Sequence, residues 1–382
     1  MDNNVCHVCK CKSALCRTVW GGAVGVRWPW NRRFSSSQLV VSWADGALSY
    51  VLAGPHAGGG FDIKAAGVEL RGADGWETFA GRLTALGLKG VPAIGMLRPE
   101  QYQVFQIDAP KVPPEEMRAA ARYLVKELVS GHIDDVTLDV LKVGDGQHKA
   151  NEHAFVVAAT NTVVREMLDL SDRMKWDIRT IDIQETAQRN LQSALARKEQ
   201  RAERADALLT VADDRQGVLT ISANDELFFT RRLELPPGFT TMAWAGETHA
   251  PTAQAQQGFV PVSEYVPDYA GQGASYGADY SAGAGDYGAA GHEPHQRVLV
   301  ELQRSLDLWD RTWTTLPLHS VRVAAGGRSD EMAQWLTRDL GQPVQAMDVS
   351  PLFPGWSALP EGDRMACWPL LGVLLRTETR AL

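Results

Sequence analysis

Residues 321–329, with the sequence VRVAAGGRS, form the local pattern best suited to contact with a ligand. A predicted strand runs into Gly326 and Gly327, and Ser329 then caps a predicted helix. Glycine lets a ligand approach the backbone closely, and a helix start offers free N–H groups to an anion. A strand, two glycines and a helix also make a plain tight turn, so the pattern alone leaves both interpretations open.

Motifs of well-known catalytic and phosphate-binding sites are missing from the sequence. It contains no G-x-x-x-x-G-K-[ST] phosphate loop and no G-x-G-x-x-G after a predicted strand. It also contains no G-x-S-x-G nucleophile elbow and no H-E-x-x-H zinc motif. We therefore assign no catalytic residue.

Four of the five cysteines lie close together near the N-terminus, at Cys6, Cys9, Cys11 and Cys16, and only Cys367 lies in the remaining chain. This is not the even framework of a secreted disulfide protein, so we expect a cytosolic protein. A Cys-x-x-Cys pair can supply two zinc ligands, but a second pair does not follow downstream. We expect residues 1–25 to be a disordered tail or an extension upstream of the true start. Metal binding and redox chemistry remain alternatives, and no metal site is assigned.

The composition is that of a globular protein with an acidic surface. The chain has 382 residues, 45% of them hydrophobic and 22% charged, and a formal net charge of −8. This charge argues against nucleic acid as a partner, because phosphate binding needs clustered Lys and Arg. No apolar run approaches the roughly 20 residues that span a bilayer. We therefore expect contact with a membrane only through partner proteins.

The elements that would position these residues alternate between strands and helices, which is typical of an α/β fold. Asp45-Gly46 separates two predicted strands at 38–53, a strong hairpin signal. A helix at 115–129 is predicted after Pro113-Pro114, because proline and acidic residues suit the first turn of a helix. Strand clusters at 38–70 and 207–235 both begin with a hairpin-like pair, which suggests an internal duplication.

The composition changes abruptly between the predicted strands and the C-terminal third. Residues 233–296 contain no Lys or Arg, and five of the eight tyrosines lie in this segment among Gly, Ala and Asp. Such a segment has too few branched aliphatic residues to offset its ordering entropy. We expect a disordered insertion at about 246–294, either a passive spacer or an interaction tract.

The order of these elements resembles the actin-like fold of PilM-type pilus assembly proteins, and among them the MshI proteins of MSHA-type pili. The resemblance covers residues 26–382 apart from the insertion. It implies a duplicated, ribonuclease H-like fold with lobe 1 at 26–184 and lobe 2 at 185–382. Lobe 1 would carry a small inserted subdomain at about 98–150. The stretches that carry the resemblance are 33–53, 102–128, 176–187, 208–235, 321–344 and 369–376.

The resemblance implies ATP with Mg²⁺ as a cofactor between the lobes. Asp45 and Gly46 lie in the first phosphate hairpin, and Asp213 and Asp214 in the second. The adenosine site would be formed by Gly326, Gly327 and Ser329.

Both phosphate hairpins depart from the Asp-x-Gly motif of the family. In the first hairpin, the position of the Asp is taken by Ser42 or Trp43, and the position of the Gly is taken by Ala44. Trp43 would be bulky near a phosphate. In the second, no glycine occurs until Gly217. Two adjacent aspartates can hold Mg²⁺ but repel phosphate without it. We expect a weak or vestigial nucleotide site without ATP hydrolysis, and an active actin-like ATPase is the alternative.

The resemblance also implies a scaffold at the cytoplasmic side of the inner membrane. The cytoplasmic tail of a PilN- or MshJ-like bitopic membrane protein would dock beside the inserted subdomain, and a pilus assembly ATPase would be a second partner. Tyr102, Phe105 and Tyr123 are candidate contacts, because aromatic residues dominate peptide anchoring. They could equally be core residues of the subdomain. The pattern also resembles the cytoplasmic domain of the GspL proteins of type II secretion, which continue into a membrane helix.

Overall fold

The computed structural model describes residues 37–143, 153–212, 215–244 and 294–377. The predicted tail at 1–25, almost all of the tyrosine-rich insertion, and Asp213 and Asp214 lie outside these ranges. The described residues belong to one unit, Ser36–Leu382. The strands are β1 (Gln38–Ala44), β2 (Ala47–Pro55), β3 (Phe61–Leu70), β4 (Ala93–Met96), β5 (Tyr102–Asp108), β6 (Val136–Lys142), β7 (His153–Thr160), β8 (Ile181–Asp182), β9 (Ala205–Val211), β10 (Gln216–Ala223), β11 (Glu226–Glu234), β12 (Leu318–Ala324) and β13 (Val344–Ala346). The helices are α1 (Trp76–Ala85), α2 (Met117–Val125), α3 (Asn161–Met174), α4 (Gln184–Lys198), α5 (Pro294–Thr312), α6 (Ser329–Leu340), α7 (Glu361–Cys367) and α8 (Leu371–Leu374).

Two five-stranded sheets repeat the same topology along the chain. The first has the order β3-β2-β1-β4-β8, and the second has the order β11-β10-β9-β12-β13. In each, the first three strands form an antiparallel meander. The first strand of each meander also pairs in parallel with the next strand of its sheet, and that strand pairs in parallel with the last. This duplication is the actin-like fold, and the predicted fold class is confirmed.

The tight turn between β1 and β2 follows directly from its sequence. Asp45 has φ 52° and Gly46 has φ 72°, both positive as a type I′ hairpin turn requires. Asn224 and Asp225, with φ 50° and 63°, make the corresponding kind of turn between β10 and β11. Asn, Asp and Gly are the residues that tolerate these angles, so the hairpins at these positions are fixed locally.

A third sheet, of order β5-β7-β6, forms the inserted subdomain. Helix α2 packs on one face of it through Met117, Ala121 and Val125. The central strand, β7, is almost entirely apolar and buried, as a central strand requires. Strand β7 lies beyond residue 150, so the inserted subdomain extends past the end that the sequence predicted.

Helices α4 and α8 pass between the two lobes. Along α4 nearly every residue is buried, polar ones included, because both lobes cover it. The C-terminal segment is not one continuous helix: α7 begins at Glu361, and a 3-10 turn at Trp368–Leu370 separates it from α8. Pro369 accounts for the break, because proline has no N–H to continue the helix.

Candidate functional site

Strand β1 alternates between two buried faces, and the alternation decides where Trp43 points. Val41 and Trp43 face the outer layer of lobe 1, where the ring centroid of Trp43 lies 5.4 Å from that of Trp76 and 5.6 Å from that of Phe79. Val40 faces the core between the lobes. Successive side chains of a strand point to opposite faces. The expectation that Trp43 obstructs a phosphate site is therefore wrong.

Ser42 lies on the same face of β1 as Val40 and is one of the two residues that the resemblance places at the Asp of the motif. Its side chain is buried, and its hydroxyl has no hydrogen-bond partner among the described residues. Across the hairpin it pairs with Ser49, whose Oγ accepts a 2.6 Å hydrogen bond from Nη2 of Arg98. The inner face of this hairpin thus carries hydroxyls and an arginine, and Asp45 is exposed at the turn beside Gly46.

In the second hairpin, Thr210 takes the place that Ser42 holds in the first, and it is equally buried. Its Oγ1 accepts hydrogen bonds from Nε2 of Gln184, at 2.8 Å, and from Nε2 of Gln188. Thr220 Oγ1 lies 2.9 Å from Oε1 of Gln188 and 3.0 Å from Oε1 of Gln192. The three glutamines are four residues apart and so share one face of α4. They satisfy the hydroxyls of Thr210 on β9 and Thr220 on β10 without a ligand.

The two glycines after β12 are approached by the protein's own helix α7. Gly326 has φ +59°, and a Cβ added there would lie 2.6 Å from Cγ of Met365. A Cβ at Gly327 would overlap the carboxylate of Glu361. The hydroxyl of Ser329 accepts a 2.9 Å hydrogen bond from the N–H of Ala325 and donates a 2.7 Å hydrogen bond to the carbonyl of Gly326. All three predicted adenosine-site residues therefore have protein neighbours.

The space left at this point is small. A cavity of about 20 Å³ separates the end of β9 from the C-terminal helices, and a cavity of that size holds about one water molecule. It is lined by Thr210, Val211, Ala212, Ala324, Gly326, Met365, Trp368 and Pro369. The described residues therefore do not fit ATP with Mg²⁺, and we derive no step through it. Asp213 and Asp214 lie outside the described residues, and within those residues no group of three His, Cys, Asp or Glu side chains is placed to hold a metal.

Tyr102, predicted as a partner contact, is buried with 4% of its surface exposed. Its hydroxyl donates to the carboxylate of Glu185 and accepts a 3.1 Å hydrogen bond from the N–H of Gln184. Nη2 of Arg232 lies 3.2 Å from the same carboxylate, and its guanidinium stacks 4.5 Å from the centroid of the Tyr102 ring. Burial, followed by the charge of Glu185, raises the pKa of Tyr102 well above its usual value. Tyr102 is thus a core residue.

Phe105 and Tyr123 differ in accessibility. Phe105 is half-buried and packs with the apolar cluster under α2. Tyr123 lies on the outer face of α2 with 76% of its surface exposed, and Leu124 beside it is 48% exposed. Of the three predicted contacts, only Tyr123 is free to meet a partner.

The outer face of α2 combines this apolar pair with acidic residues. Arg118 and Arg122 bend away toward β6, where they bind Oδ1 of Asp139, at 3.3 Å, and the carbonyl of Val136, at 3.2 Å. The exposed residues that remain, which we call the α2 surface, include Glu115, Glu116, Ala119, Tyr123, Leu124, Lys126 and Glu127. Nζ of Lys126 lies 3.4 Å from Oε1 of Glu127.

Sequence reasoning missed Glu361 and Met365, the side chains that fill the glycine site. A signal for the helix that carries them was present, because Pro360 precedes Glu361 and Asp363, and proline followed by acidic residues favours a helix start. The contact with Gly326 joins segments far apart in sequence, which no local pattern reveals.

Comparison with known proteins supports the fold. No protein-family model matches the chain, and no curated protein matches its sequence. Among solved structures, it is similar to a chain of the PilM-PilN type IV pilus biogenesis complex, with a TM-score of 0.58 and 14% identity, over 90% of this chain and 99% of that chain. At this identity, the likeness establishes the fold alone.

Two weaker likenesses were found. One is to the cytoplasmic domain of EpsL, an inner membrane component of the type II secretion system of Vibrio cholerae, with a TM-score of 0.38, 14% identity, and coverage of 56% of this chain and 79% of that chain. The other is to a Bacteroides thetaiotaomicron protein with an actin-like ATPase fold, with a TM-score of 0.43, 9% identity, and coverage of 88% and 96%. Among the described helices, none is long and apolar enough to cross a membrane.

Proposed function

We propose that this protein is a cytoplasmic scaffold, peripheral to the inner membrane, in the assembly platform of a type IV pilus of the MSHA type. It docks the cytoplasmic tail of a PilN- or MshJ-like bitopic membrane protein, and a pilus assembly ATPase is a second partner. The observation that carries the proposal is the exposed apolar pair Tyr123 and Leu124 on the inserted subdomain. It is supported by the likeness of the fold to a chain of the PilM-PilN complex.

The chemistry of the α2 surface suits such a tail. Tyrosine is enriched among the residues that dominate binding energy at interfaces, and Tyr123 projects from a helix whose opposite face is buried. Exposed Glu115, Glu116 and Glu127 lie on the same surface, where they outnumber the exposed Lys126 that pairs with Glu127. Cytoplasmic segments next to a membrane span are rich in Lys and Arg. An apolar and basic tail would therefore meet a complementary apolar and acidic surface.

The cleft between the lobes supports a scaffold rather than an enzyme. On the inner faces of the two hairpins, the described side chains at the corresponding positions, Ser42 and Thr210, are buried and carry hydroxyls. Side chains of α7 occupy the approach to Gly326 and Gly327. We therefore propose that the protein acts by binding partners and does not hydrolyse ATP.

Binding of the purified full chain to the PilN-type protein of the same organism, held in detergent, tests the proposal. We expect saturable binding to the wild-type chain, and Tyr123→Asp should weaken it by about tenfold or more. Tyr123→Phe keeps the ring and should retain the affinity. Because Tyr123 is exposed, all three proteins should unfold at the same temperature.

A matched control places the same charge elsewhere. Leu308→Asp, at an exposed position of α5, should leave the affinity unchanged. Equal binding by Tyr123→Asp would remove the α2 surface as the docking site. Failure of the wild-type chain to bind would overturn the proposed function itself.

A further inference from the structure

We propose that α7 takes the place of a nucleotide in this molecule and bridges the two lobes from within the cleft, so that they stay together with no ligand bound. The inference concerns the cleft and is independent of the α2 surface. It rests on the disagreement between the fold, which implies a nucleotide, and the side chains that fill the nucleotide position.

On one side, α7 is anchored to lobe 1. It packs against β2 and β3. The thiol of Cys367, at its last residue, is fully buried, and its sulfur lies 3.4 Å from the carbonyl oxygens of both Tyr50 and Gly67. Because these carbonyls belong to β2 and β3, the C-terminal end of α7 is held against the antiparallel meander of lobe 1.

On the other side, α7 meets the glycine loop of lobe 2. Cγ and Sδ of Met365 lie 2.6 and 2.9 Å from the position that a Cβ of Gly326 would take. The carboxylate of Glu361 lies even closer to the position that a Cβ of Gly327 would take. The absence of side chains at these glycines thus admits a close approach, and the group that approaches is the helix of the same chain.

The same arrangement disfavours a nucleotide. Met365, Trp368 and Pro369 line the remaining cavity, which holds about one water molecule. The carboxylate of Glu361 lies against Gly327, at the position where the resemblance places the adenosine. A second contact joins lobe 1 to lobe 2: the N–H of Phe61 in lobe 1 donates a 2.9 Å hydrogen bond to the carbonyl of Leu352 in lobe 2.

Calorimetric titration of the wild-type chain with Mg-ATP, and separately with Mg-ADP, tests the inference without any variant. We expect no saturable binding up to millimolar nucleotide and no change in the unfolding temperature. Saturable binding of either nucleotide in the micromolar range would overturn the inference, because it would show that α7 yields to a ligand.

A double-mutant cycle tests the bridge itself. Met365→Ala and Gly326→Ala should each lower the unfolding temperature, the second through its collision with Met365 and its positive φ. Once Met365 is truncated, the collision is gone, so Gly326→Ala should cost less in that background. If the double variant lowers the unfolding temperature by the sum of the two single losses, within error, the proposed contact is overturned. Gly362→Ala, on the open side of α7, is the matched control and should not lower the unfolding temperature.

Discussion

The hydroxyl of Tyr102 donates a hydrogen bond to the carboxylate of Glu185, and this buried pair ties the inserted subdomain to the helix that runs between the lobes. Tyr102 opens β5, and Glu185 lies in the first turn of α4. Arg232, on β11 of lobe 2, completes the group, and its Nη1 also donates a 2.6 Å hydrogen bond to the carbonyl of Pro99. Three parts of the fold therefore meet at one carboxylate.

Removing the cation from this group should be more costly than removing the hydroxyl. Arg232→Met should lower the free energy of unfolding by about 3–5 kcal/mol, because it leaves Glu185 buried without a countercharge. Tyr102→Phe should lower it by about 1–3 kcal/mol, because Arg232 still pairs with the carboxylate. Urea denaturation measures both values.

The double variant Glu185→Gln with Arg232→Met separates a charge effect from a packing effect. Without the charge, much of the loss caused by Arg232→Met should be recovered. If the double variant is as unstable as the two losses added together, the burial of an unpaired charge is not the cause. Tyr123→Phe, at an exposed position, is the neutral control.

The close crossing of the two interlobe helices should tolerate no side chain at Gly372. A Cβ there would overlap the backbone carbonyl of Ala187, and the side-chain amide of Asn190 donates a 3.0 Å hydrogen bond to the carbonyl of Gly372. Backbone atoms cannot yield as a flexible side chain does. Gly372→Ala should therefore cost about 3 kcal/mol or more or prevent folding, as overpacking a core can.

The comparison for Gly372→Ala is Gly81→Ala, in the middle of α1. A Cβ at Gly81 would meet nothing within 4 Å. Alanine there should raise the free energy of unfolding by about 0.5–1 kcal/mol through its better helix propensity. Circular dichroism and thermal melts of the two variants, expressed in parallel, measure the contrast. Two variants of equal stability would contradict the close crossing.

The sequence was sufficient for the hairpins and the sheets because their signals are local. Asp45-Gly46 predicts a type I′ turn, and the structure has both residues at positive φ. The strand clusters at 38–70 and 207–235, each beginning with a hairpin-like pair, predicted the two meanders. Repetition of that pattern, together with the resemblance, was enough to predict the duplicated fold.

The site could not be predicted in the same way, because its contacts join distant parts of the chain. The sequence indicates only that Tyr102 is an aromatic residue at the start of a strand. Its buried hydroxyl is paired with the carboxylate of Glu185, 83 residues later. The residues next to Gly326 in the sequence do not show that its approach is filled. It is filled because α7 packs against it in the folded chain. Tyr123, by contrast, was correctly placed on the subdomain, and only the structure shows that it is exposed.

The buried thiol of Cys367 should make the protein less stable in alkaline solution. Burial raises the pKa of this thiol from 9.0 to about 12 in the folded chain. Between these values the folded state keeps the proton that the unfolded state loses, so the free energy of unfolding falls as the pH rises. The loss across this window should approach about 4 kcal/mol, since one pKa unit corresponds to about 1.4 kcal/mol.

Cys367→Ala isolates this contribution, because the tyrosines and lysines that titrate in the same range are present in both proteins. Urea denaturation at several alkaline pH values should show a steeper decline for the wild-type chain than for the variant. Iodoacetamide provides a second measurement, because only a thiolate reacts. Peptide mapping should find Cys367 unmodified in the native protein at neutral pH and modified in urea. Equal slopes for the two proteins, or rapid alkylation in the native state, would show that the thiol is accessible and that α7 is not held against β2 and β3 as the structure shows.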